Sequence, residues 1–86
     1  MKFIAEIDIM PIKSLLDPQG KAVTSSMKNI GITEIKNVRI GKHISLEITA
    51  DDKQQASTKV QEACEKLLAN QIMEHFKFEI KEIYST

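Results

Sequence analysis

The stretch His43-Ile44-Ser45-Leu46-Glu47-Ile48-Thr49-Ala50-Asp51-Asp52 decides the fold of this chain. Its first eight residues alternate between polar and apolar, which predicts a strand with one buried and one exposed face. The aspartate pair then predicts a helix start, because an aspartate side chain accepts hydrogen bonds from the N–H groups of a first helical turn. The helix that follows has a broad apolar face formed by Ala56, Val60, Ala63, Cys64, Leu67 and Leu68. We expect it to end at about Asn70, a residue that tolerates a left-handed exit.

Alternating runs also lie near both ends of the chain. Apolar residues at every second position of 3–9 predict a first strand that ends near Pro11, and the same pattern over 76–80 predicts a last strand. A further strand is predicted over 35–40, with an irregularity near Asn37 where the apolar spacing slips by one residue. Gly41-Lys42 would connect that strand to the next one as a hairpin.

Another helix is predicted after the first strand. Asp17 is suited to the N-cap and Pro18 to the first helical position, where its missing N–H costs nothing. An apolar stripe follows at Val23, Met27 and Ile30. Gly31 is placed to close the helix in the left-handed conformation that other residues resist.

The predicted order of elements is βαββαβ. Two right-handed crossovers in one antiparallel sheet place both helices on the same face, so the expected fold is α+β and ferredoxin-like, with a four-stranded antiparallel sheet. The other sheet face would be open to solvent or to another subunit. We expect a single domain over residues 1–86, small enough that association with partners would add to its stability.

Composition excludes several classes of protein. Twelve Lys plus Arg balance twelve Asp plus Glu, so no net positive field attracts nucleic acid or an anionic membrane. No apolar run approaches membrane-spanning length. The single cysteine, Cys64, cannot form an internal disulfide and fits a reducing cytoplasm.

No catalytic set is evident in the sequence. Cys64 lies on the apolar stripe of the second helix, where a buried structural role explains it. His43 and His75 fall on the polar side of strands with no neighbouring ligands at metal-binding spacing, so we interpret both as solvated. Asp51-Asp52 is sufficiently explained as a helix cap. We therefore predict no catalytic residue, no bound cofactor and no metal in this chain.

Two polar segments at predicted turns allow either a structural role or contact with a partner. Gln19-Gly20-Lys21 opens the first helix, and Gly20 there costs up to about 1 kcal/mol relative to alanine while leaving bare backbone for a close approach. Arg39 and Lys42 flank the glycine of the predicted hairpin. Each segment is also accounted for by a helix cap or a turn with solvated charges.

Three motifs in this order resemble the PurS family. They are Leu16-Asp17-Pro18-Gln19-Gly20 at a helix start, Arg39-Ile40-Gly41-Lys42 at a hairpin and Lys66-Leu67-Leu68-Ala69-Asn70 at a helix end. The likeness extends from about residue 4 to 80. It implies the small, non-catalytic subunit of phosphoribosylformylglycinamidine synthase in purine biosynthesis. Such a subunit bridges a glutaminase subunit, which releases ammonia, and a large synthetase subunit, which uses ATP and Mg to convert formylglycinamide ribonucleotide to its amidine.

The resemblance also implies self-association into a dimer or a higher assembly. We expect the subunit contacts to lie in the three motifs, where packing gives the polar groups no evident role, at Asp17, Pro18, Gln19, Gly20, Lys21, Arg39, Gly41, Lys42 and Asn70. The alternative from a different class is a dimeric ferredoxin-like module that binds a small regulatory molecule, because this fold hosts many functions. The Asp17-Pro18-Gln19-Gly20 start argues against that alternative, since such a module has no evident need for it.

Overall fold

The structure, a computed structural model, describes residues 1–12 and 18–83. Strand β1 spans Lys2–Pro11, helix α1 spans Pro18–Asn29, strand β2 spans Lys42–Thr49, helix α2 spans Lys53–Ala63 and strand β3 spans Glu74–Ile83. Helix α2 continues into a π-helical turn over Cys64–Leu68, here called the π turn. The α+β class is confirmed.

The sheet has three antiparallel strands in the described residues, in the order β2-β1-β3. The predicted four-stranded ferredoxin-like sheet is therefore not confirmed, because residues 35–40 form no strand. Asn37 has a left-handed backbone (φ 57°), which breaks the extended run at the position where the apolar spacing slips. The N–H of Val38 donates to the hydroxyl of Thr24 in α1 (3.1 Å), so it is not engaged in a strand ladder.

The core lies between α2 and one face of the sheet. The alternating residues of β1 are the most deeply buried, and Phe3, Ile7 and Ile9 each have 1% or less of their surface exposed. Val60 of α2 and Cys64 of the π turn cover them, as the predicted stripe requires. The partly buried residues packed against this core are Ile44, Leu46, Ile48, Leu68, Phe76 and Phe78.

Helix α1 differs from α2 in that it has little contact with the other helices and strands. Its only fully buried residue is Gly20, and Ile30 is 68% exposed. The radius of gyration is 16.9 Å, whereas about 12 Å is expected for a compact domain of this length. The prediction that both helices cover one sheet face is thus supported for α2 and not for α1.

Several predicted helix ends are confirmed. Gly31 is left-handed (φ 86°), and its N–H donates to Lys28 O while that of Ile32 donates to Met27 O, the paired bonds of a Schellman end. Asp52 caps α2 by accepting from the N–H of Gln55 (2.7 Å). Asp17, the predicted cap of α1, lies outside the described residues.

Candidate functional site

Two of the three sequence motifs meet at one end of the sheet. In the register of the strands, Lys42 of β2 is opposite Ile9, and Glu74 of β3 is opposite Pro11. The end of β1 therefore lies between the starts of both neighbours. We call this region the motif end and define it as Arg39, Gly41, Lys42, Asn70 and Glu74.

Glu74 connects the two motifs. One carboxylate oxygen accepts from the backbone N–H of Asn70 (2.9 Å), and the other lies 3.8 Å from the Lys42 ammonium. The sequence does not single out Glu74, because nothing local distinguishes it from the other acidic residues of the last strand. Its position opposite Pro11 in the antiparallel register is what makes it a link.

Arg39 has a structural role that the sequence does not predict. Its guanidinium donates to the backbone carbonyl of Pro11, at the end of β1. This contact holds the segment before β2 against the sheet. Because a guanidinium has further N–H donors, Arg39 can make this contact and still bind a partner.

A glycine is needed at position 41 because the backbone there packs closely against β1, and not because the chain turns there. A Cβ placed on it would collide with the backbone carbonyl oxygen of Ile9 and with the sulfur of Met10. Its φ lies outside the left-handed region, unlike that of Gly31. Gly41 was predicted to form the turn of a hairpin, but in the structure it allows the chain to pack against β1.

Asn70 builds the turn that leads into β3. Its side-chain oxygen accepts from the N–H of Ile72 (3.1 Å), and its carbonyl accepts from the N–H groups of Met73 (3.0 Å) and Glu74 (2.6 Å). The predicted left-handed exit at this residue is wrong, because only Gly31 and Asn37 have positive φ in the described part of the chain. The asparagine acts through its side chain, as in an Asx turn.

Thr24, which none of the three motifs contains, connects the start of α1 to the segment before β2. Pro18, Gln19 and Lys21 are exposed and Gly20 is buried. The hydroxyl of Thr24 donates to the carbonyl of Gly20 (2.8 Å) and accepts from the N–H of Val38. This hydroxyl therefore links the first turn of α1 to the segment that precedes β2.

The π turn changes the surface next to Asn70. The N–H of Ala69 donates to the carbonyl of Cys64 (3.0 Å), five residues earlier, which inserts one residue relative to an α-helix. Leu67 is consequently 81% exposed, and its predicted place on the apolar stripe of the helix is wrong. Ile72 (85%) and Met73 (51%) are also exposed on the following turn.

A cluster of titratable groups lies on the open face of the sheet. Nδ1 of His43 is 2.7 Å from Asp8 Oδ1, and Nε2 is 2.5 Å from Glu6 Oε2. The hydrogen bonds to Asp8 and Glu6 raise the pKa of His43, whereas those from His43 and Ser45 lower the pKa of Glu6. The sequence does not predict this cluster, because His43 is 35 residues from Asp8 and meets it only through the strand register.

The other candidate groups do not converge. Cys64 is fully buried, as predicted, and burial raises the pKa of its thiol. In residues 1–12 and 18–83, no group of three or more His, Cys, Asp or Glu side chains is placed to hold a metal ion. None of the helices in that part of the chain is long and apolar enough to cross a membrane.

Comparison with known proteins identifies the class. A sequence model of the PurS family, described as phosphoribosylformylglycinamidine (FGAM) synthase, matches residues 4–82. The PurS subunit of this synthase from Bacillus subtilis is 41% identical over 71 residues, covering 83% of each chain. The structure of B. subtilis PurS superposes with a TM-score of 0.82 at 34% identity, over 93% of this chain and 99% of that one. A chain in the structure of PurLQS from Thermotoga maritima gives a TM-score of 0.86 at 30% identity, over 94% of this chain and 99% of that one.

These matches, together with the three motifs, define a small α+β subunit of a biosynthetic enzyme. The chain belongs to the PurS family. It is a subunit of FGAM synthase and functions in purine biosynthesis.

Proposed function

We propose that this chain is the non-catalytic subunit that holds the glutaminase and the ATP-dependent synthetase of FGAM synthase together and supports ammonia transfer between them. The observation that carries the proposal is the convergence of two family motifs on Glu74 at the motif end. The surface formed there consists of the turn at Asn70 and the ion pair between Lys42 and Glu74. The PurLQS structure from T. maritima provides the precedent for such an assembly.

The chemistry of the complex belongs to the partners in this proposal. The one thiol of the chain is buried in the core with its pKa raised, so it is not available as a nucleophile. His43 uses both ring nitrogens on carboxylates of its own sheet. ATP and Mg are used by the synthetase subunit, and the small subunit binds no cofactor of its own. We place the assembly in the cytoplasm.

The contact surface that we propose consists of the α1 start and the motif end. Asp17, Pro18, Gln19, Gly20 and Lys21 form the first part. Arg39, Gly41, Lys42 and Asn70 form the second part, with Glu74 added because it ties Lys42 to Asn70. In this proposal a single partner contacts both parts.

Self-association into a dimer or a higher assembly accompanies this function. The apolar face of the sheet is only partly covered at Ile44, Leu46, Phe76 and Phe78, and α1 has little contact with the strands. A second copy would cover these residues and α1, which would stabilise a chain whose own core is small.

Reconstitution tests the proposed function. The purified chain alone should show no glutaminase, ATPase or synthetase activity. Its addition to the glutaminase and synthetase subunits should restore glutamine-dependent formation of the amidine, which is measured by chromatography of the product. Turnover by the small subunit alone would contradict the proposal, and so would full glutamine-dependent activity of the two partners without it.

Arg39→Ala tests the contact surface. A guanidinium at an energetic hot spot contributes about 2 kcal/mol or more to binding, so we expect the affinity for the partner subunits to fall at least 30-fold. Lys36→Ala is the matched control, because Lys36 is exposed in the same segment. Calorimetry with the partner subunits measures the affinity, and circular dichroism confirms folding. Equal affinities for the parent, the Arg39 variant and a Lys42→Ala variant would place the contact elsewhere.

A further inference from the structure

Helix α1 carries one part of the proposed contact surface, yet it is loosely attached to the sheet. It has little contact with the other helices and strands. Residues 30–37, which follow it, are all exposed, and the backbone bonds of Gly31 and Ile32 stay within the end of the helix. The placement of α1 relative to the sheet therefore depends on individual bonds between segments.

Thr24 makes a bond of this kind. Its hydroxyl donates to the carbonyl of Gly20 (2.8 Å), four residues earlier, which is an ordinary bond for a threonine inside a helix. The same hydroxyl accepts from the N–H of Val38 (3.1 Å), fourteen residues later. A hydroxyl has one hydrogen and two lone pairs, so it can serve both partners at once. Thr24 and Val38 are both half-buried, so their bond is partly shielded from water.

The residue after Val38 is bonded to the sheet. The guanidinium of Arg39 donates to the carbonyl of Pro11, at the end of β1. Two consecutive residues are therefore bonded to two different elements, Val38 to α1 and Arg39 to β1. We call Thr24, Val38, Arg39 and Pro11 the joint. It connects α1 to the sheet by two hydrogen bonds that are one residue apart along the chain.

The joint lies between the two parts of the proposed contact surface. Gln19 and Lys21 are at the start of α1, whereas Lys42 and Asn70 are at the motif end. A partner that contacts both parts binds only those molecules in which the two parts have the correct relative placement. Its apparent affinity is reduced by the fraction of molecules in that arrangement. A bond that keeps α1 in place therefore strengthens binding without touching the partner.

We infer that Thr24 is a positioning residue for the assembly of FGAM synthase. Through Val38, its hydroxyl keeps the start of α1 in the arrangement relative to the motif end that the partner subunit binds. This inference rests on the proposed function and its contact surface. Thr58 of α2 offers a natural comparison, because it donates to the carbonyl of Gln54 four residues earlier (3.0 Å) and, within residues 1–12 and 18–83, bonds no other segment.

The first test compares affinities for the glutaminase and synthetase subunits by calorimetry. Thr24→Val and Thr24→Ala both remove the hydroxyl, and alanine also favours the helix, so the test does not depend on whether the valine variant folds. We expect both to lose about fivefold in affinity, the ratio that one ordinary hydrogen bond contributes. Thr24→Ser keeps the hydroxyl and should bind as the parent does. Thr58→Val is the matched control and should also bind as the parent does.

The second test measures the placement of α1 directly, which a loss of helix stability alone would not change. Spin labels on Ser26→Cys in α1 and Lys77→Cys in β3 occupy exposed positions, and Cys64 is buried and stays unlabelled. The labelled chain is diluted into unlabelled chain so that pulsed spin resonance reports distances within one molecule. We expect a narrow distance distribution with threonine or serine at position 24 and a broader one with alanine or valine.

Every other outcome contradicts the inference. Unchanged affinity of the alanine and valine variants of Thr24, beside a parent that binds, would refute it and leave the proposed function intact. A loss of affinity with an unchanged distance distribution would show that Thr24 does not act through the placement of α1. An equal loss for Thr58→Val would attribute the effect to helix stability. A parent chain that binds neither subunit would refute the proposed function and the inference together.

Discussion

Helices α1 and α2 have similar lengths and each has an apolar stripe, but only the stripe of α2 packs on the sheet. Val60 of α2 is 1% exposed against the sheet, whereas Ile30 near the end of α1 is 68% exposed. Both helices have a built end, with Asp52 capping the start of α2 and Gly31 closing α1, so the difference in exposure comes from tertiary packing. The single chain therefore supplies a packing partner for the stripe of α2 and leaves Ile30, the last residue of the other stripe, exposed.

Substitutions in the two helices test this comparison, and they are expected to change the free energy of unfolding more than any other variants proposed for it. Val60→Ala should lower the free energy of unfolding by about 2 kcal/mol or more, because it removes buried methyl groups and leaves a cavity. Met27→Ala in α1 should cost less than about 1 kcal/mol at low protein concentration, since Met27 is half-buried. Denaturant unfolding at several protein concentrations measures both. If the cost of Met27→Ala grows with concentration, a second copy covers α1; an equal cost at every concentration would show that α1 packs within the chain.

Two glycines show a similar contrast with a smaller expected effect: Gly31 follows α1 and is in open space, whereas Gly41 precedes β2 and packs against β1. Gly41→Ala should destabilise by about 1–3 kcal/mol, because its Cβ meets the carbonyl of Ile9 and the backbone must shift. Gly31→Ala should cost about 1–2 kcal/mol through its left-handed conformation alone, since open space surrounds it. Thermal unfolding of both variants and of the double variant separates the causes. A Gly41→Ala variant as stable as the parent would contradict the close approach to β1.

The smallest expected effect concerns the charged face of the sheet, and it depends on pH. The raised pKa of His43 stabilises the fold below the ordinary histidine value of 6.5, and that contribution is lost as the pH rises through the folded pKa. The lowered pKa of Glu6 stabilises the fold above the ordinary value of 4.5, and that contribution is lost as the pH falls through the folded pKa. The stability difference between the parent and His43→Gln should therefore be greatest between these two values.

Melting temperatures from pH 3 to pH 9 measure that difference. His75→Gln is the matched control, because His75 lies on the same open face opposite Met10. A His43 difference that does not vary with pH would show that the ring is not charged between Glu6 and Asp8 in solution.

The proposed contact residues show which structural roles a local sequence pattern can predict and which it cannot. The motifs at residues 16–20, 39–42 and 66–70 together indicate the family, but they do not indicate that Glu74 joins the last two. They also did not show that Arg39 holds the end of β1 or that Gly41 is needed for packing. Those roles depend on which residues the register places opposite Ile9 and Pro11, and register is a property of paired strands.

The sequence by itself determined the alternating strands at both ends and in the middle, the cap at Asp52, the left-handed close at Gly31, the burial of Cys64 and the family. Each of these follows from a period, from a backbone preference within a few residues or from a motif. Only the tertiary structure decided that residues 35–40 stay outside the sheet, that Leu67 faces outward and that His43 lies between Glu6 and Asp8. The physical reason is that these features depend on competition between distant groups for the same hydrogen bonds and the same buried surface, and a local pattern contains no information about that competition.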